Sequence, residues 1–221
     1  EVGTRFRADV EGRVTAIRFY KVQSTTRSFT GRLYTDSGTL LGSSLATSVS
    51  GAGWQELPLT TPVLLDADTT YVSTYYSPTG YYAVTDFGLE DEIENAPLRA
   101  LADGADGDNG VYEYGNGFPT DSYASSNYWV DVLFESGNFR SPTLTVTAPA
   151  AGADNVSVGA KVVATFSKPI DPGSVTGSSF TLTGPGGIQA DADVSVSSNK
   201  ATLSPSESLE AGVEYRATIT T

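Results

Sequence analysis

Short runs in which apolar and polar residues alternate follow one another along almost the whole chain. In residues 14–21, Ile17 and Phe19 alternate with Arg18 and Tyr20. This period of two is typical of a strand with one face buried and the other facing water. No stretch shows a sustained helical period with caps. The pattern therefore predicts an all-β protein.

Turn residues separate these runs at the spacing of a β-sandwich. Asp36, Ser37 and Gly38 interrupt the segment 32–41, as expected of a hairpin. Seven or more short strands with loops between them favour an N-terminal β-sandwich, jelly-roll-like in architecture. Further strands are predicted at 54–59, 70–76 and 128–134.

A second series of strands begins at Thr143 and predicts a smaller sandwich. Residues 136–142 are predicted to be a linker, which gives domains at 1–135 and 143–221. Because the last run reaches the end of the sequence without a turn, we expect this domain to be truncated or to continue in a larger protein. Its strands are predicted at 162–166, 179–183, 194–196, 201–203 and 215–221.

The composition excludes most catalytic chemistry. The chain has no cysteine and no histidine, so it has no disulfide, thiolate nucleophile, Ser-His-Asp triad or histidine zinc site. Its 26 acidic residues make carboxylate pairs inevitable, and no motif marks one pair for glycoside hydrolysis. We therefore expect a protein that is not an enzyme. The absence of methionine indicates a fragment of a larger chain.

Charge is distributed unevenly along the sequence. Residues 1–35 hold seven basic and three acidic groups, whereas residues 86–121 hold one basic and ten acidic groups. The first domain is therefore predicted to be electrically polarised. The long, glycine-rich interval 86–123 is predicted to be either a binding rim or a mobile insertion. Within it, residues 95–101 are a candidate for one helical turn.

Two classes of partner are excluded by these patterns. No concentrated cationic face is available for phosphates, so nucleic acid is not an expected partner. No apolar run approaches the roughly 18 residues that cross a bilayer, so we expect no membrane insertion. A monomer within a larger multidomain chain is the expected state.

Aromatic residues are concentrated in the first domain. Eleven of the twelve tyrosines and both tryptophans lie in residues 1–135. A sandwich core needs only a few large rings, so the surplus predicts a recognition surface. The CH faces of sugars stack on such rings, while nearby amides and carboxylates bind the hydroxyls. We predict carbohydrate binding; the alternative is a structural or adhesive cell-surface module whose tyrosines form its core.

The candidate ligand-binding residues are rings near loops and one indole beside a carboxylate. Tyr81 and Tyr82 follow the turn-like segment 77–80 and are the preferred stacking residues. Trp129 either clamps a sugar together with Asp131 or fills a second buried layer. The full predicted set is Tyr76, Tyr81, Tyr82, Tyr112, Tyr114, Trp129 and Asp131.

Alternation within residues 70–76 leaves two arrangements open. If Val72 faces the core, Tyr71 and Tyr75 face outward; if Tyr71 faces the core, Tyr76 is the free ring. Trp54, which follows Gly-Ala-Gly, is expected to staple the start of its strand.

The acidic interval also offers oxygen ligands for a metal. Asp103, Asp106, Asp108 and Asn109 are predicted to bind Ca²⁺ at a structural site, because hard cations prefer such oxygens and glycines let short loops converge. The spacing does not match an EF-hand, since Gly110 stands where a third side-chain ligand is required. The alternative is a solvated acidic loop whose charges repel one another.

Two stretches of the second domain are distinctive: PAAGADNVSVGAKVVATFSKPID at 149–171 and LSPSESLEAGVEYRATITT at 203–221. In these stretches the domain resembles the bacterial Ig-like domain of the SbsA type, which occurs in strings in secreted and S-layer proteins, and Leu209, Gly212 and Tyr215 stand in the family's places. The resemblance implies an Ig-like sandwich. Tyr215 is then expected to take a role like that of a tyrosine corner.

The first domain contains the motifs VGTRFRADVEGRVTAIRFYK, GRLYTDSGTLLGS, WQELPL with TTYVSTYY, and GVYEYGNGFPTDSY with NYWVDVLF. Through these motifs it resembles a secreted bacterial domain of unknown function, of the type numbered 4082, over nearly all of residues 2–134. The resemblance implies a β-sandwich accessory domain with glycan binding, and it assigns no site residues. Together the two resemblances imply a larger secreted bacterial protein at the cell surface.

Overall fold

The computed structural model describes residues 1–220 and divides the chain into two compact units, Glu1–Arg140 and Ser141–Thr221. The division falls inside the predicted linker 136–142. Residues before it pack on the first unit: the N–H of Gly137 donates to the carbonyl of Glu11 at 2.9 Å, and the guanidinium of Arg13 lies 4.1 Å from the ring centre of Phe139. Residues 136–140 therefore belong to the first unit and not to a free linker.

Within Glu1–Arg140, twelve strands form two antiparallel sheets. The large sheet has the order β11-β10-β1-β7-β3-β4, with β5 paired to β3 and the β8–β9 hairpin paired to β1; the three-stranded sheet has the order β12-β2-β6. The strands are β1 (Val2–Ala8), β2 (Gly12–Lys21), β3 (Arg27–Thr35), β4 (Leu40–Ser43), β5 (Thr47–Val49), β6 (Gly53–Leu65), β7 (Tyr71–Tyr76), β8 (Ile93–Asn95), β9 (Leu98–Ala100), β10 (Val111–Tyr112), β11 (Asp121–Ser122) and β12 (Val130–Ser136).

The core of the first unit lies between these two sheets. Phe19 of β2 stacks on Tyr75 of β7 with ring centroids 4.3 Å apart, and it lies 4.7 Å from Phe29 of β3. Each large side chain sealed in this way contributes about 1.5–3 kcal/mol. Gly31 of β3 permits the close approach, because a Cβ there would lie 2.7 Å from the Cβ of Ile17. The alternation predicted for residues 14–21 is confirmed, with Ile17 and Phe19 buried.

The large sheet is also covered on its outer face. Tyr34, Val72 and Val111 form a second buried cluster there, and Phe118 packs against it with its ring 5.2 Å from that of Tyr34. Strand β7 is therefore buried on both faces. Of the two arrangements left open for residues 70–76, Tyr71 faces the core, so Val72 faces outward beneath this cover.

The acidic interval is ordered by pairing with the large sheet. The helical turn expected at 95–101 is wrong, because Ile93–Asn95 and Leu98–Ala100 pair as an antiparallel hairpin. Strand β9 in turn pairs antiparallel with β1. Pro97, which has no N–H to donate, lies in the two-residue connection between β8 and β9, where no ladder hydrogen bond is required of it.

The second unit is a smaller sandwich of a four-stranded sheet, β13-β14-β17-β16, and a two-stranded sheet, β15-β18. The hydroxyl of Tyr215 accepts a hydrogen bond from the N–H of Glu210 at 3.1 Å, which is the contact of a tyrosine corner. The predicted strand 215–221 is observed as Arg216–Ile219, and Thr221 lies outside the described residues. The strands are β13 (Leu144–Ala148), β14 (Val162–Phe166), β15 (Phe180–Thr183), β16 (Ala192–Ser197), β17 (Lys200–Pro205) and β18 (Arg216–Ile219), and the 3₁₀ turns are Pro172–Ser174 and Pro185–Gly187.

Side chains from both sheets fill the core of this unit, and the predicted all-β fold with an Ig-like second domain is confirmed. The buried residues of this core are Ala164, Phe166, Phe180, Leu182, Ala201 and Leu203.

Candidate ligand-binding site

Three aromatic side chains form a contiguous cluster on the outer face of the three-stranded sheet. Tyr20 of β2 pairs with Trp54 of β6, and the N–H of Tyr20 donates to the carbonyl of Trp129, just before β12, at 3.1 Å. The ring centroids are 5.8 Å apart for Tyr20 and Trp54, 6.3 Å for Tyr20 and Trp129, and 6.2 Å for Trp54 and Trp129. These three residues are called the aromatic cluster.

The aromatic cluster is open to solvent. Tyr20, Trp54 and Trp129 are 39%, 42% and 40% exposed. Single exposed apolar residues are common on protein surfaces, whereas contiguous patches mark interaction sites. The indole N–H of Trp129 donates to the hydroxyl of Thr85 at 3.0 Å, which fixes the orientation of that ring.

The backbone at Trp129 is strained. Its φ is +54°, in the left-handed region that a bulky residue rarely adopts. The N–H of Trp129 donates to the side-chain oxygen of Asn127 at 2.7 Å, and its carbonyl is bound by β2. Such a conformation costs about 1–3 kcal/mol and persists where surrounding contacts impose it. The chain thus holds this indole at the surface against a local cost.

A row of charged side chains lies beside the aromatic cluster on the same three strands. Arg18 pairs in register with Asp131 on one side and Glu56 on the other. The ion-pair distances are long, 3.7 Å from Arg18 Nη1 to Asp131 and 3.9 Å from Arg18 Nε to Glu56. The guanidinium carbon lies 5.0 Å from the ring centre of Trp54, a cation–π contact. Arg18, Glu56 and Asp131 are called the ionic row.

The ionic row keeps unused hydrogen-bonding capacity. Within residues 1–220, Arg18 Nε is buried and has no hydrogen-bond partner, whereas the Arg18 side chain as a whole is 31% exposed, so its outer nitrogens are the ones that a ligand can reach. Glu56 and Asp131 remain partly exposed, and their separation from the guanidinium exceeds that of a good hydrogen bond. Polar groups next to exposed rings can therefore bind the hydroxyls of a ligand.

Sequence reasoning placed Trp129 and Asp131 in the site and missed the other members. Tyr20 was identifiable, because alternation in residues 14–21 puts it outward beside Arg18. Trp54 was assigned to stapling the start of its strand; this is wrong, since its ring is exposed and contacts both other rings of the cluster. The strand order that unites the three residues is not readable from the pattern of any one strand.

The predicted tyrosines lie outside the aromatic cluster, although Tyr81 and Tyr20 line one small surface depression. The ring of Tyr82 lies 5.4 Å from that of Tyr128, and the ring of Tyr112 lies 5.6 Å from that of Tyr114. Burial raises the pKa of Tyr128 to about 12, whereas Tyr114 is 90% exposed. Among residues 1–220, no ring contact joins these tyrosines to the aromatic cluster. Tyr76 is partly buried and Tyr81 exposed.

Two arginines on the outer face of β1 contact the acidic interval. Asp106 accepts from Arg7 Nη2 at 2.8 Å and from the hydroxyl of Thr70. These bonds, first that from Thr70, hold the pKa of Asp106 below its usual range. Arg5 binds the backbone carbonyl of Asp108. Arg5 and Arg7 thus bring part of the basic segment 1–35 against the acidic interval, in which Asp106 forms an ion pair with Arg7.

Asp103 and Asn109 are hydrogen-bonded inside this interval. Asp103 accepts from the N–H of Asn109 at 2.6 Å and from the hydroxyl of Ser125 at 2.7 Å. Asn109 is fully buried, and its amide accepts from the N–H of Arg5 at 2.7 Å and donates to the carbonyl of Leu101 at 2.6 Å. It therefore braces the interval against β1.

The predicted calcium ligands are not gathered into one set. Asp103, Asp106, Asp108 and Asn109 each have other partners, and within residues 1–220 no group of three or more acidic side chains is arranged to hold a metal. The assignment of these four residues to one ligand set is therefore wrong in its geometry. Calcium binding stays a prediction of the sequence alone, and the structure adds no assembled ligand set to it.

These features define a two-domain all-β protein whose first sandwich carries an exposed aromatic site. The family model of a domain of unknown function (DUF4082) matches residues 1–130, and that of a bacterial Ig-like domain matches residues 140–221. The chain therefore belongs to the DUF4082 family and also carries a bacterial Ig-like domain. Both resemblances noted in the sequence are confirmed.

The other comparisons add no function. No curated protein and no solved structure matches the chain. Bacterial Ig-like domains are typical of extracellular or surface proteins. In the part of the chain that the structure describes, no helix has the length and apolar character needed to span a bilayer.

Proposed function

We propose that the first unit is a non-catalytic carbohydrate-binding module. Its sugar-binding surface is formed by the aromatic cluster and the ionic row. One observation carries this proposal: three mutually contacting rings, each about 40% exposed, lie beside an arginine whose ion pairs are 3.7 and 3.9 Å long.

The aromatic cluster and the ionic row together match the chemistry of a sugar. Aromatic faces pack against the CH faces of a pyranose, and they also exclude water from one side of it. Hydroxyls at the edge of the same sugar are then within reach of Arg18, Glu56 and Asp131, which offer both donors and acceptors. A purely apolar partner would leave these polar groups desolvated and unpaired, which costs binding energy.

Charge favours a neutral glycan over an anionic one. Residues 1–135 hold 8 basic and 19 acidic groups, a net charge of 8 − 19 = −11. The ionic row has one guanidinium and two carboxylates, so it is also net negative. An anionic polysaccharide would be repelled both at long range and at the site.

The second unit completes the proposal as an Ig-like spacer in a larger secreted bacterial protein. A binding module tethered to a neighbouring domain raises the effective concentration of that domain at an insoluble or surface glycan. In this proposal the protein is a monomer within a multidomain chain, and the partner of its first unit is a polysaccharide or a cell-surface glycan. Tyr76, Tyr81, Tyr82, Tyr112 and Tyr114 stay candidates for a second contact region.

Affinity electrophoresis on a panel of neutral and anionic polysaccharides tests this function. We expect at least one neutral polysaccharide to retard the protein, with no release of reducing sugar. Each lost ring contact is worth about 0.5–1.5 kcal/mol, or roughly 2- to 12-fold in affinity, so Trp54→Ala and Trp129→Ala should each weaken retardation by up to about tenfold.

Tyr123→Ala is the matched control. Tyr123 is exposed and outside the aromatic cluster, so its loss should leave retardation unchanged. No retardation by any polysaccharide would overturn the proposal, as would retardation that Trp54→Ala and Trp129→Ala do not weaken.

The runner-up is a structural or adhesive surface module without a glycan ligand. It is favoured by the tyrosines that do serve as core. It leaves unexplained why the outer face of the three-stranded sheet keeps three exposed rings. The buried tyrosines are Tyr34, Tyr71, Tyr75 and Tyr128.

A further inference from the structure

We infer that the aromatic cluster binds one sugar residue of an individual glycan chain and does not bind the flat face of a crystalline polysaccharide. This inference rests on the proposed function and specifies the form of its ligand. It follows from the angles between the rings, the size of the cluster, the contacts that hold the rings, and the position of the ionic row.

The ring planes are steeply inclined to one another. The interplanar angle is 88° for Tyr20 and Trp54, 63° for Trp54 and Trp129, and 54° for Tyr20 and Trp129. A crystalline face presents many pyranose rings in one common plane. Only coplanar aromatic rings can stack on several of them together, and no two rings of this cluster are close to coplanar.

The cluster is also too compact to follow a chain of sugars. All three centroids lie within 6.3 Å of one another, so the rings pack against each other in the tilted and edge-to-face arrangements that aromatic pairs prefer. Successive sugars along a chain need successive rings spaced along its axis. A cluster of this width offers stacking surface to one sugar residue.

The rings are held in these orientations. The indole N–H of Trp129 is bonded to Thr85 at 3.0 Å, and the ring of Trp54 contacts the guanidinium of Arg18. Turning either indole to make a flat platform would break its contact and also the packing between the two indoles. Binding to a plane would therefore carry a conformational cost that binding to one sugar does not.

The ionic row favours a chain whose hydroxyls are free. Arg18 precedes Tyr20 by two residues on β2. At about 3.3 Å per residue, the ionic row therefore lies about 7 Å from the aromatic cluster along the strand. A sugar stacked on the rings thus has one edge toward Arg18, Glu56 and Asp131. In a crystal the hydroxyls of each chain already bond to neighbouring chains, whereas in an individual chain they are available.

Two measurements on the full 221-residue chain test the inference. In the first, cello-, xylo-, manno- and chito-oligosaccharides of two to six residues are titrated calorimetrically. Each sugar added to the oligosaccharide contacts no additional aromatic ring, so we expect the affinity to change by less than about threefold between disaccharide and hexasaccharide. A tenfold change would correspond to about 1.4 kcal/mol of added contact.

In the second measurement, depletion by microcrystalline cellulose and crystalline chitin is compared with retardation by hydroxyethyl cellulose and glycol chitin. We expect binding to the soluble chains and none to the crystals, with Trp54→Ala weakening the former and Tyr123→Ala leaving it unchanged.

The outcomes separate this inference from the proposed function. Depletion by a crystal that Trp54→Ala abolishes, or affinity that climbs tenfold or more with chain length, would overturn the single-residue site and leave carbohydrate binding intact. Binding to none of these oligosaccharides, soluble polysaccharides or crystals, and to no member of the wider polysaccharide panel, would overturn both.

Discussion

The two outer faces of the first unit both carry arginines, carboxylates and aromatic rings, but they differ in how closely the charges pair and in how far the rings are buried. On the large sheet, Arg5 contacts Asp36 and Arg7 contacts Asp106, both at 2.8 Å, and Tyr34 is only 6% exposed. On the three-stranded sheet, Arg13 pairs with Glu135 at 2.7 Å, but beside the aromatic cluster the ion pairs of Arg18 are 3.7 and 3.9 Å long and the rings are about 40% exposed.

The difference arises from what covers each face. The acidic interval and Phe118 close the outer face of the large sheet, so its charges and its aromatic ring find partners within the unit. Around the aromatic cluster, the outer face of the three-stranded sheet keeps its rings and polar groups toward water. A face that satisfies itself contributes to stability, whereas one left unsatisfied is suited to a ligand.

The largest expected effect is the difference in stability between losing a ring from the covered face and losing one from the open face. Tyr34→Ala removes a buried ring from the covered face and should lower the free energy of unfolding by about 3 kcal/mol or more. Trp54→Ala on the open face should lower it by about 1 kcal/mol, since much of that ring is already in water. Urea denaturation of both variants measures the difference, and equal losses would show that the two faces are equally buried.

A smaller effect is expected from the strained backbone of Trp129. Glycine adopts a φ of +54° without steric cost, whereas alanine does not, so Trp129→Gly should be about 1 kcal/mol more stable than Trp129→Ala. Both variants lack the ring, so the comparison isolates the backbone. Urea midpoints provide the measurement. An alanine variant as stable as the glycine variant would show that this position is unstrained.

The smallest effect is expected from calcium. Asp103, Asp106, Asp108 and Asn109 already have partners in the cover of the large sheet, so added Ca²⁺ or a chelator should shift the melting temperature by less than about 1 °C, because only a ligand of the native state raises stability. Differential scanning calorimetry measures the shift. A rise of several degrees with Ca²⁺, abolished by Asp106→Asn, would establish the predicted metal site.

The local alternation of residues predicted the positions of the strands well, but it predicted only some of the side chains that lie exposed on the sheet faces. Alternation placed Arg18 and Tyr20 together on an outward face, and the β14 strand was predicted with its observed bounds, Val162–Phe166. Residues 95–101 were mistaken for a helical turn because a short run with a proline carries no period. Trp54 was assigned to packing because burial of a ring at the start of a strand depends on which strands lie beside it.

What the sequence by itself determined is the all-β class, the two sandwiches and the surplus of rings in the first, since these follow from a period of two and from composition. The tertiary structure alone decided which rings are free. Strand order brought Tyr20, Trp54 and Trp129 together from positions far apart in the chain. It also brought the acidic interval onto Arg5 and Arg7, because pairing between distant strands is not encoded in the alternation of any one of them.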